Sequence, residues 1–247
     1  MAKDVLLKKD RILEESLVTL QDSPFAETLI FQGGGALPFI YSSPRYSGDV
    51  DFVDSSITND IDNYLKKIVE VGNDYEINNA KIMPSGRGVR AKWGHKENEP
   101  VAKVEIEERD ADEYYPSHSK FNLFVKTPGD IYTDKIFSNI ARYVSRKPTG
   151  QFPFKPNDFF DLQYICNTLG TEPVEKERIM KRAEAYHAAH IVNYENLTEM
   201  INMITNEENH DFFRKCLRKT MMKDFYNVMN FDKKFFDKVA GHFENYR

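Results

Sequence analysis

Apolar and polar residues alternate along several short segments in the first half of the chain, and this two-residue period predicts β-strands. The alternation covers residues 49–53, 89–93 and 101–106. A further apolar run, residues 28–32, leads into three consecutive glycines at 33–35, which predicts a strand that enters a tight turn. The first half is therefore expected to contain a sheet.

Helical spacing of apolar residues is found at residues 57–71, and a short helix is predicted at residues 36–41. In the second half helical spacing dominates, and the predicted helices cover residues 131–146, 158–169, 174–189, 197–204, 212–222 and 235–243. These patterns predict an α+β fold, in which a mixed sheet with flanking helices is followed by a C-terminal helical bundle. The expected domains are residues 1–127 and 128–247, with a boundary at Thr127-Pro128-Gly129.

Composition places the chain among globular proteins, since 40% of its 247 residues are hydrophobic and 30% are charged. The net charge of −5 argues against a protein that coats nucleic acid by bulk charge. No apolar run reaches the ~18 residues of a membrane span, and the charged N-terminus lacks the apolar core of a signal peptide. Because the two cysteines, Cys166 and Cys216, have no CxxC spacing, we expect a reduced, cytoplasmic setting without membrane association.

Several common catalytic motifs are missing from the sequence. The six histidines show neither HExxH nor zinc-ligand spacing. There is no GxSxG elbow, and no Walker A lysine follows the glycine run. The candidate chemistry therefore lies among the carboxylates.

Two aspartates on the strand at 49–53 form the first candidate. Asp49 and Asp51 point to one face of the strand, about 7 Å apart, while Val50 and Phe52 make the other face apolar. Two such carboxylates repel each other unless a cation lies between them, and Mg²⁺ favours carboxylate oxygens together with substrate phosphates. The alternative is a strand with a solvated acidic face.

A third carboxylate is expected from the strand at 101–106. Lys103, Glu105 and Glu107 share one face, and the pattern alone does not choose between the two glutamates. An exposed amphipathic strand is the alternative. Near the aspartates in sequence, Gly33 and Gly34 could bring backbone N–H groups to a phosphate, although a glycine run is more often only a turn.

Two groups of basic residues could contact nucleic acid. The first lies beside Trp93 and comprises Arg87, Arg90 and Lys92. The second lies near the C-terminus and comprises Arg214, Lys215, Arg218, Lys219 and Lys223. Core packing is favoured for Trp93 itself. A solvated helix face is the alternative for the second group.

The first motif resembles that of the AbiEii/AbiGii family of nucleotidyltransferases, which includes MenT-type toxins. The matching residues are Gly33-Gly34, Ala36-Leu37 and the run Arg45-x-Ser47-x-Asp49-x-Asp51-Phe52. The family's lysine–apolar–carboxylate–apolar strand is matched by Lys103-Val104-Glu105-Ile106, and this match favours Glu105 as the third carboxylate.

Later blocks match in the same order. An Asp-Lys pair that opens a helix in the family is matched by Asp134-Lys135, with Arg142 downstream. The last block, Asp158-x-x-Asp161-Leu162, lacks the family's preceding arginine, which is Asn157 here. Gly35 stands where the family usually has threonine, so a hydroxyl that could touch the nucleotide is absent.

The resemblance implies a nucleotidyltransferase-like fold that transfers a nucleoside monophosphate from an NTP to an acceptor hydroxyl. The expected acceptor is the tRNA 3′ end, with protein second, and the expected setting is a toxin–antitoxin or phage-defence system with a cognate antitoxin as a possible partner. By this resemblance, Mg²⁺ or Mn²⁺ is bound by Asp49, Asp51 and Glu105, and catalysis uses these three residues and Lys135. The nucleotide is bound by Gly33, Gly34, Ser47, Lys135 and Asp158. The alternative is a catalytically weak interaction protein that keeps this fold.

Overall fold

The chain forms two compact units, Met1–Thr127 and Pro128–Arg247. The computed structural model describes residues 2–108, 117–118, 121–149 and 152–247. That the two units correspond to independently folding domains stays a prediction.

The first unit is built on a mixed sheet that has seven strands among the described residues, in the order β3-β4-β5-β2-β1-β7-β6. Its strands are β1 (Ile30–Gln32), β2 (Val50–Asp54), β3 (Ile77–Ile82), β4 (Gly88–Gly94), β5 (Ala102–Glu108), β6 (Ser117–His118) and β7 (Leu123–Val125). The pairs β2–β5 and β1–β7 are parallel, whereas the other neighbouring strands are antiparallel.

Three α-helices of the first unit lie among the described residues: α1 (Ala2–Gln21), α2 (Gly33–Phe39) and α3 (Ile61–Val71). The helix predicted at 57–71 is divided, because Asp60 accepts a hydrogen bond from the Asn63 N–H and begins α3, after a short 3₁₀ turn. The sequence patterns did not predict α1, β3, β6 or β7.

The sheet of the first unit has one apolar and one polar face where β2 and β5 meet. Phe52 and Val104 are fully buried on the apolar face, while Asp51 and Glu105 are partly exposed on the other. Trp93 is also fully buried, as predicted, and its indole N–H donates to Asn78 at 3.2 Å. The alternation that predicted the strands therefore separates a packed core from a polar surface that can carry chemistry.

The second unit is helical in its described residues. Its helices are α4 (Pro128–Arg146), α5 (Pro156–Asn167), α6 (Lys176–Ala185), α7 (Tyr194–Thr205), α8 (Glu207–Thr220), α9 (Lys223–Val228) and α10 (Lys233–Glu244). None of the described helices of the chain has the length and apolar composition needed to span a membrane. The predicted fold class, a mixed sheet with flanking helices followed by a helical region, is confirmed.

Two local predictions for this unit are wrong. Asp134 does not open a helix, since α4 begins six residues earlier, and it forms an ion pair with Arg182. The helix predicted at 174–189 ends at Ala185. Asn157, which stands in place of the family's arginine, lies in the first turn of α5, and its side chain accepts a hydrogen bond from Thr220 at 2.6 Å.

Candidate active site

Three carboxylates meet on the polar face of the sheet. In the parallel pair β2–β5, Asp51 lies opposite Glu105, and Asp49 immediately precedes β2. Oxygens of Asp49, Asp51 and Glu105 all lie within 4.8 Å of one another, and the three side chains are partly exposed. Glu107 faces Val53, one strand repeat further along, and is outside this cluster. The register of β2 against β5 therefore brings Glu105 to the aspartates.

The glycines at 33–35, predicted as a tight turn, instead begin helix α2 and lie against these carboxylates. Gly33 has a φ of +70°, and a Cβ atom placed there would lie 2.6 Å from Oδ2 of Asp51. Only glycine combines this left-handed conformation with such a close approach. A Cβ at Gly35 would lie 2.8 Å from the Asp49 carbonyl oxygen, so the backbone leaves no room for the family's threonine.

The segment before β2 is held by hydrogen bonds to main-chain atoms. The buried Arg45 guanidinium donates to the carbonyl oxygens of Gly34 and Tyr46, each at 3.0 Å. The Ser47 hydroxyl donates to the Asp49 carbonyl at 2.7 Å. These bonds fix the glycine turn and Asp49 relative to each other, while the phosphate contact expected of Ser47 stays a prediction.

Two cations lie against the carboxylate cluster. Nζ of Lys103 is 2.7 Å from Oε1 of Glu105 and 3.5 Å from Oδ2 of Asp49. Arg90, opposite Glu105 on β4, donates its Nε–H to the same Glu105 oxygen. Burial disfavours the charged ammonium, but the hydrogen bond and charge of Glu105, with Asp49, outweigh burial and raise the pKa of Lys103. The cluster therefore attracts positive charge strongly.

The donor set of the cluster fits a hard divalent cation. Asp49, Asp51 and Glu105 each offer a carboxylate oxygen, and oxygens within 4.8 Å of one another are close enough to share an ion. Mg²⁺ and Mn²⁺ are bound by such oxygens and keep further positions for water or substrate phosphates. These three residues are the ones that could hold the ion.

A second polar cluster lies inside the helical unit. The Lys135 ammonium, on α4, hydrogen-bonds Oδ1 of Asp158 and is 2.8 Å from Oδ2 of Asp161, both on α5. All three side chains are buried. Burial alone would raise the pKa of the Asp158 carboxyl, but the charge and hydrogen bond of Lys135 outweigh burial and lower it. Lys135 is thus tied to two aspartates, and its contact with a nucleotide stays a prediction.

The polar side of α4 also carries two incompletely satisfied groups near Lys135. The Asn139 side chain donates to the Lys135 carbonyl at 2.8 Å, and Arg142 lies 3.6 Å from Oδ2 of Asp158. Within the described part of the chain, Asn139 Oδ1 and Arg142 NH1 are buried without a hydrogen-bond partner. Such atoms require an explanation in a native structure, and a bound ligand is one.

The C-terminal basic residues lie on α8 and at the start of α9. Arg214 is held by the protein itself, since its Nε donates to the Phe231 carbonyl at 2.7 Å and it pairs with Asp211. Lys215, Arg218 and Lys219 are exposed, and the Lys223 side chain lies outside the described residues. For the exposed residues, contact with RNA phosphates stays a prediction.

The fold of the chain is similar to that of two solved structures. A protein assigned as a nucleotidyltransferase from H. pylori has a similar structure, with a TM-score of 0.56, 14% identity, and coverage of 97% of this chain and 93% of that one. JHP933 from Helicobacter pylori is also similar, with a TM-score of 0.54, 15% identity, and coverage of 98% and 91%.

The family follows from the sequence match. The family described as "Nucleotidyl transferase AbiEii toxin, Type IV TA system" matches residues 15–235, and the chain belongs to this family. No curated protein matches the sequence. The family resemblance expected from the sequence motifs is confirmed, since this is a family of nucleotidyltransferase toxins of toxin–antitoxin systems.

Proposed function

We propose that the chain transfers a nucleoside monophosphate from an NTP to an acceptor hydroxyl. The observation that carries this proposal is the convergence of Asp49, Asp51 and Glu105 beside the Gly33 turn in a member of the AbiEii family. The acceptor oxygen forms a bond to the α-phosphorus, the bond from that phosphorus to the bridging oxygen breaks, and pyrophosphate leaves. The acceptor proton passes to a base or to solvent.

Three carboxylates of the chain would bind the metal ions and assist the acceptor. Asp49, Asp51 and Glu105 would hold divalent cations, Mg²⁺ or Mn²⁺, as a two-metal site. Bound divalent cations supply stabilisation of the attacking and leaving oxygens in such in-line displacements. Glu105 also helps to deprotonate the acceptor hydroxyl when Lys103 and Arg90 release it.

The remaining predicted residues would bind the nucleotide. The main-chain N–H groups of Gly33 and Gly34 would approach the phosphates closely because these residues have no side chain. Ser47 would add a hydroxyl donor, and Lys135, positioned by Asp158, would neutralise charge on the leaving pyrophosphate.

The proposed acceptor is RNA, with the tRNA 3′ end first and protein second. Support for this order comes from the resemblance to MenT-type toxins. An antitoxin encoded with the protein is the partner that membership of a type IV toxin–antitoxin family suggests.

The test is transfer of label from each of four NTPs, labelled at the α-phosphate, into total RNA and total protein with Mg²⁺ present. We expect label in RNA with the wild type and none with Asp51→Asn, because the amide loses the charge that a metal ligand supplies. Label in protein alone would move the acceptor to protein. No label from any NTP, with folded protein, would contradict transferase activity.

A catalytically weak interaction protein is the second candidate. Glu105 is already engaged by Arg90 and Lys103, and Gly35 leaves no space for a nucleotide-binding hydroxyl. Titration with Mn²⁺ separates the two candidates. Saturable Mn²⁺ binding that Asp49→Asn removes supports the enzyme, whereas binding that is absent from the wild type supports the interaction protein.

A further inference from the structure

Positively charged side chains lie opposite each other on the polar face of the sheet. On this face Lys81 of β3 lies directly opposite Arg90 of β4, and Lys92 of β4 lies opposite Lys103 of β5. Directly opposed residues of antiparallel strands have Cβ atoms about 5 Å apart, where like charges destabilise the sheet. Two such pairs next to each other call for a compensating anion.

The acidic residues of the chain neutralise only part of this positive charge. Arg90 and Lys103 both reach Glu105, and Lys103 also reaches Asp49. Lys81 and Lys92 are exposed, and across the residues that the structure describes neither has an acidic partner within ion-pair distance. Positive charge therefore accumulates on this surface of a chain whose net charge is −5.

The four cations form a strip that leads from the sheet edge to the carboxylates. The strand register aligns Lys81, Arg90, Glu105 and Asp51 in one row across β3, β4, β5 and β2. With neighbouring strands about 4.8 Å apart, the Lys81 backbone is roughly 14 Å from that of Asp51. We call Lys81, Arg90, Lys92 and Lys103 the cationic strip.

The opposite face of β3 and β4 is covered and cannot serve the same purpose. Asn78 donates to the Val69 carbonyl of α3 at 2.7 Å, and a Cβ at Gly72 would lie 2.3 Å from the Trp93 indole nitrogen. The exposed lysines of the strip therefore mark the open side of the sheet, which is also the side of the carboxylate cluster.

We propose that the cationic strip binds the phosphodiester backbone of a single-stranded nucleic acid and leads its terminal hydroxyl to the carboxylate cluster. This inference rests on the proposed function and adds the surface that holds the acceptor. A nucleic-acid strand repeats its negative charge along its length, as the strip repeats its positive charge. Phosphates spaced along a strand match a row of roughly 14 Å better than the adjacent phosphates of a single nucleotide.

The test compares two double variants that remove the same charge from opposite layers of the first unit. Lys81→Gln with Lys92→Gln removes the two unpartnered cations of the strip. Lys66→Gln with Lys67→Gln removes two exposed lysines of α3, which packs on the covered face, and is the matched control. Binding of a labelled single-stranded RNA is measured by fluorescence anisotropy between about 50 and 200 mM salt.

We expect the strip variant to bind RNA more weakly and with a salt slope shallower by about 1.4, since each phosphate contact of a single strand contributes roughly 0.7. The control variant should keep the wild-type slope. Unchanged binding by the strip variant, or equal losses in both variants, would remove the strip from the acceptor site.

Binding of labelled NTP to the same variants distinguishes the source of the phosphates. A loss of NTP affinity without a loss of RNA affinity would assign the strip to the triphosphate and overturn the proposal. A wild type that binds RNA through the strip but transfers no nucleotide would contradict the proposed function alone. Transfer to protein without RNA binding would contradict the strip alone.

Discussion

At the scale of single residues, the site depends on how closely main-chain and carboxylate atoms approach each other. Gly33 and Gly35 both lie where a Cβ atom would collide, the first with the Asp51 carboxylate and the second with the Asp49 carbonyl. Asp49 is drawn towards Lys103, so the carboxylates have partial compensation without a metal ion. The residues that would bind metal and phosphate are thus held in place before any ligand arrives.

The close contact at Gly33 predicts a specific effect of Gly33→Ala. The substitution imposes a left-handed conformation on alanine and forces the Asp51 carboxylate to move, so we expect lost transfer and a decrease of about 1–2 kcal/mol in the free energy of unfolding. Gly86→Ala is the control, because Gly86 has a φ of +72° but no atom within 4 Å of its Cβ position. Denaturant unfolding and transfer assays should show strain in both variants and lost activity in the first only.

The carboxylates themselves should contribute little to stability. Asp51→Asn relieves repulsion within the cluster, so its free energy of unfolding should stay within about 1 kcal/mol of the wild type while transfer is lost. Thermal melting of the variant, together with its transfer activity, checks this expectation. A large decrease in melting temperature would give Asp51 a structural role.

At the scale of elements, strands and helices with strong apolar periodicity were predictable, and their ends were not. The helix α1 was missed although Leu13, Leu17 and Leu20 are fully buried at helical spacing, because its many charged residues dilute the pattern. The strand β3 was missed because its sequence, Ile-Asn-Asn-Ala-Lys-Ile, has neither β-branched enrichment nor a buried alternation. Its pairing with β4 decides its conformation.

The buried ion pairs between Lys135 of α4 and two aspartates of α5 predict a strong effect of Lys135→Met. The change leaves Asp158 and Asp161 buried together without their cation, so we expect a loss of about 3–5 kcal/mol in the free energy of unfolding. Lys147→Met breaks the exposed pair with Glu199 and should cost less than about 1 kcal/mol. Urea unfolding of both variants measures the difference. If Lys135→Met is as stable as the control, loss of its activity would point directly to nucleotide contact.

At the scale of the whole molecule, burial of a histidine makes stability depend on pH. His242 of α10 lies between Tyr132 and Gln163, at 3.0 and 2.9 Å, and burial lowers its pKa from 6.5 to about 4. The unfolded chain therefore binds an extra proton between these two values. The free energy of unfolding should fall as the pH decreases from about 6.5 to about 4, by about 3 kcal/mol at the lower end.

Comparison with His242→Gln isolates this effect. Titration of Asp10 has the opposite effect on stability. Burial, together with the charge of Glu14, raises the pKa of Asp10 from 3.8 to about 6. Between these values a lower pH therefore increases the free energy of unfolding. Urea unfolding should show that the free energy of unfolding decreases less between about pH 7 and about pH 5 in His242→Gln than in the wild type. Equal losses in the two proteins would exclude His242 as the titrating group.

Local sequence by itself determined the strand that carries Asp51 and follows Asp49, the glycine run before it and the motifs that identify the family. Periodicity and motif spacing are properties of neighbouring residues, so they can be read without a structure. Only the tertiary structure placed Glu105 and not Glu107 beside the aspartates, placed Arg90 and Lys103 on the carboxylates, and aligned the residues of the cationic strip. These depend on the register between strands far apart in the chain, because a shift of one residue would turn every side chain to the other face.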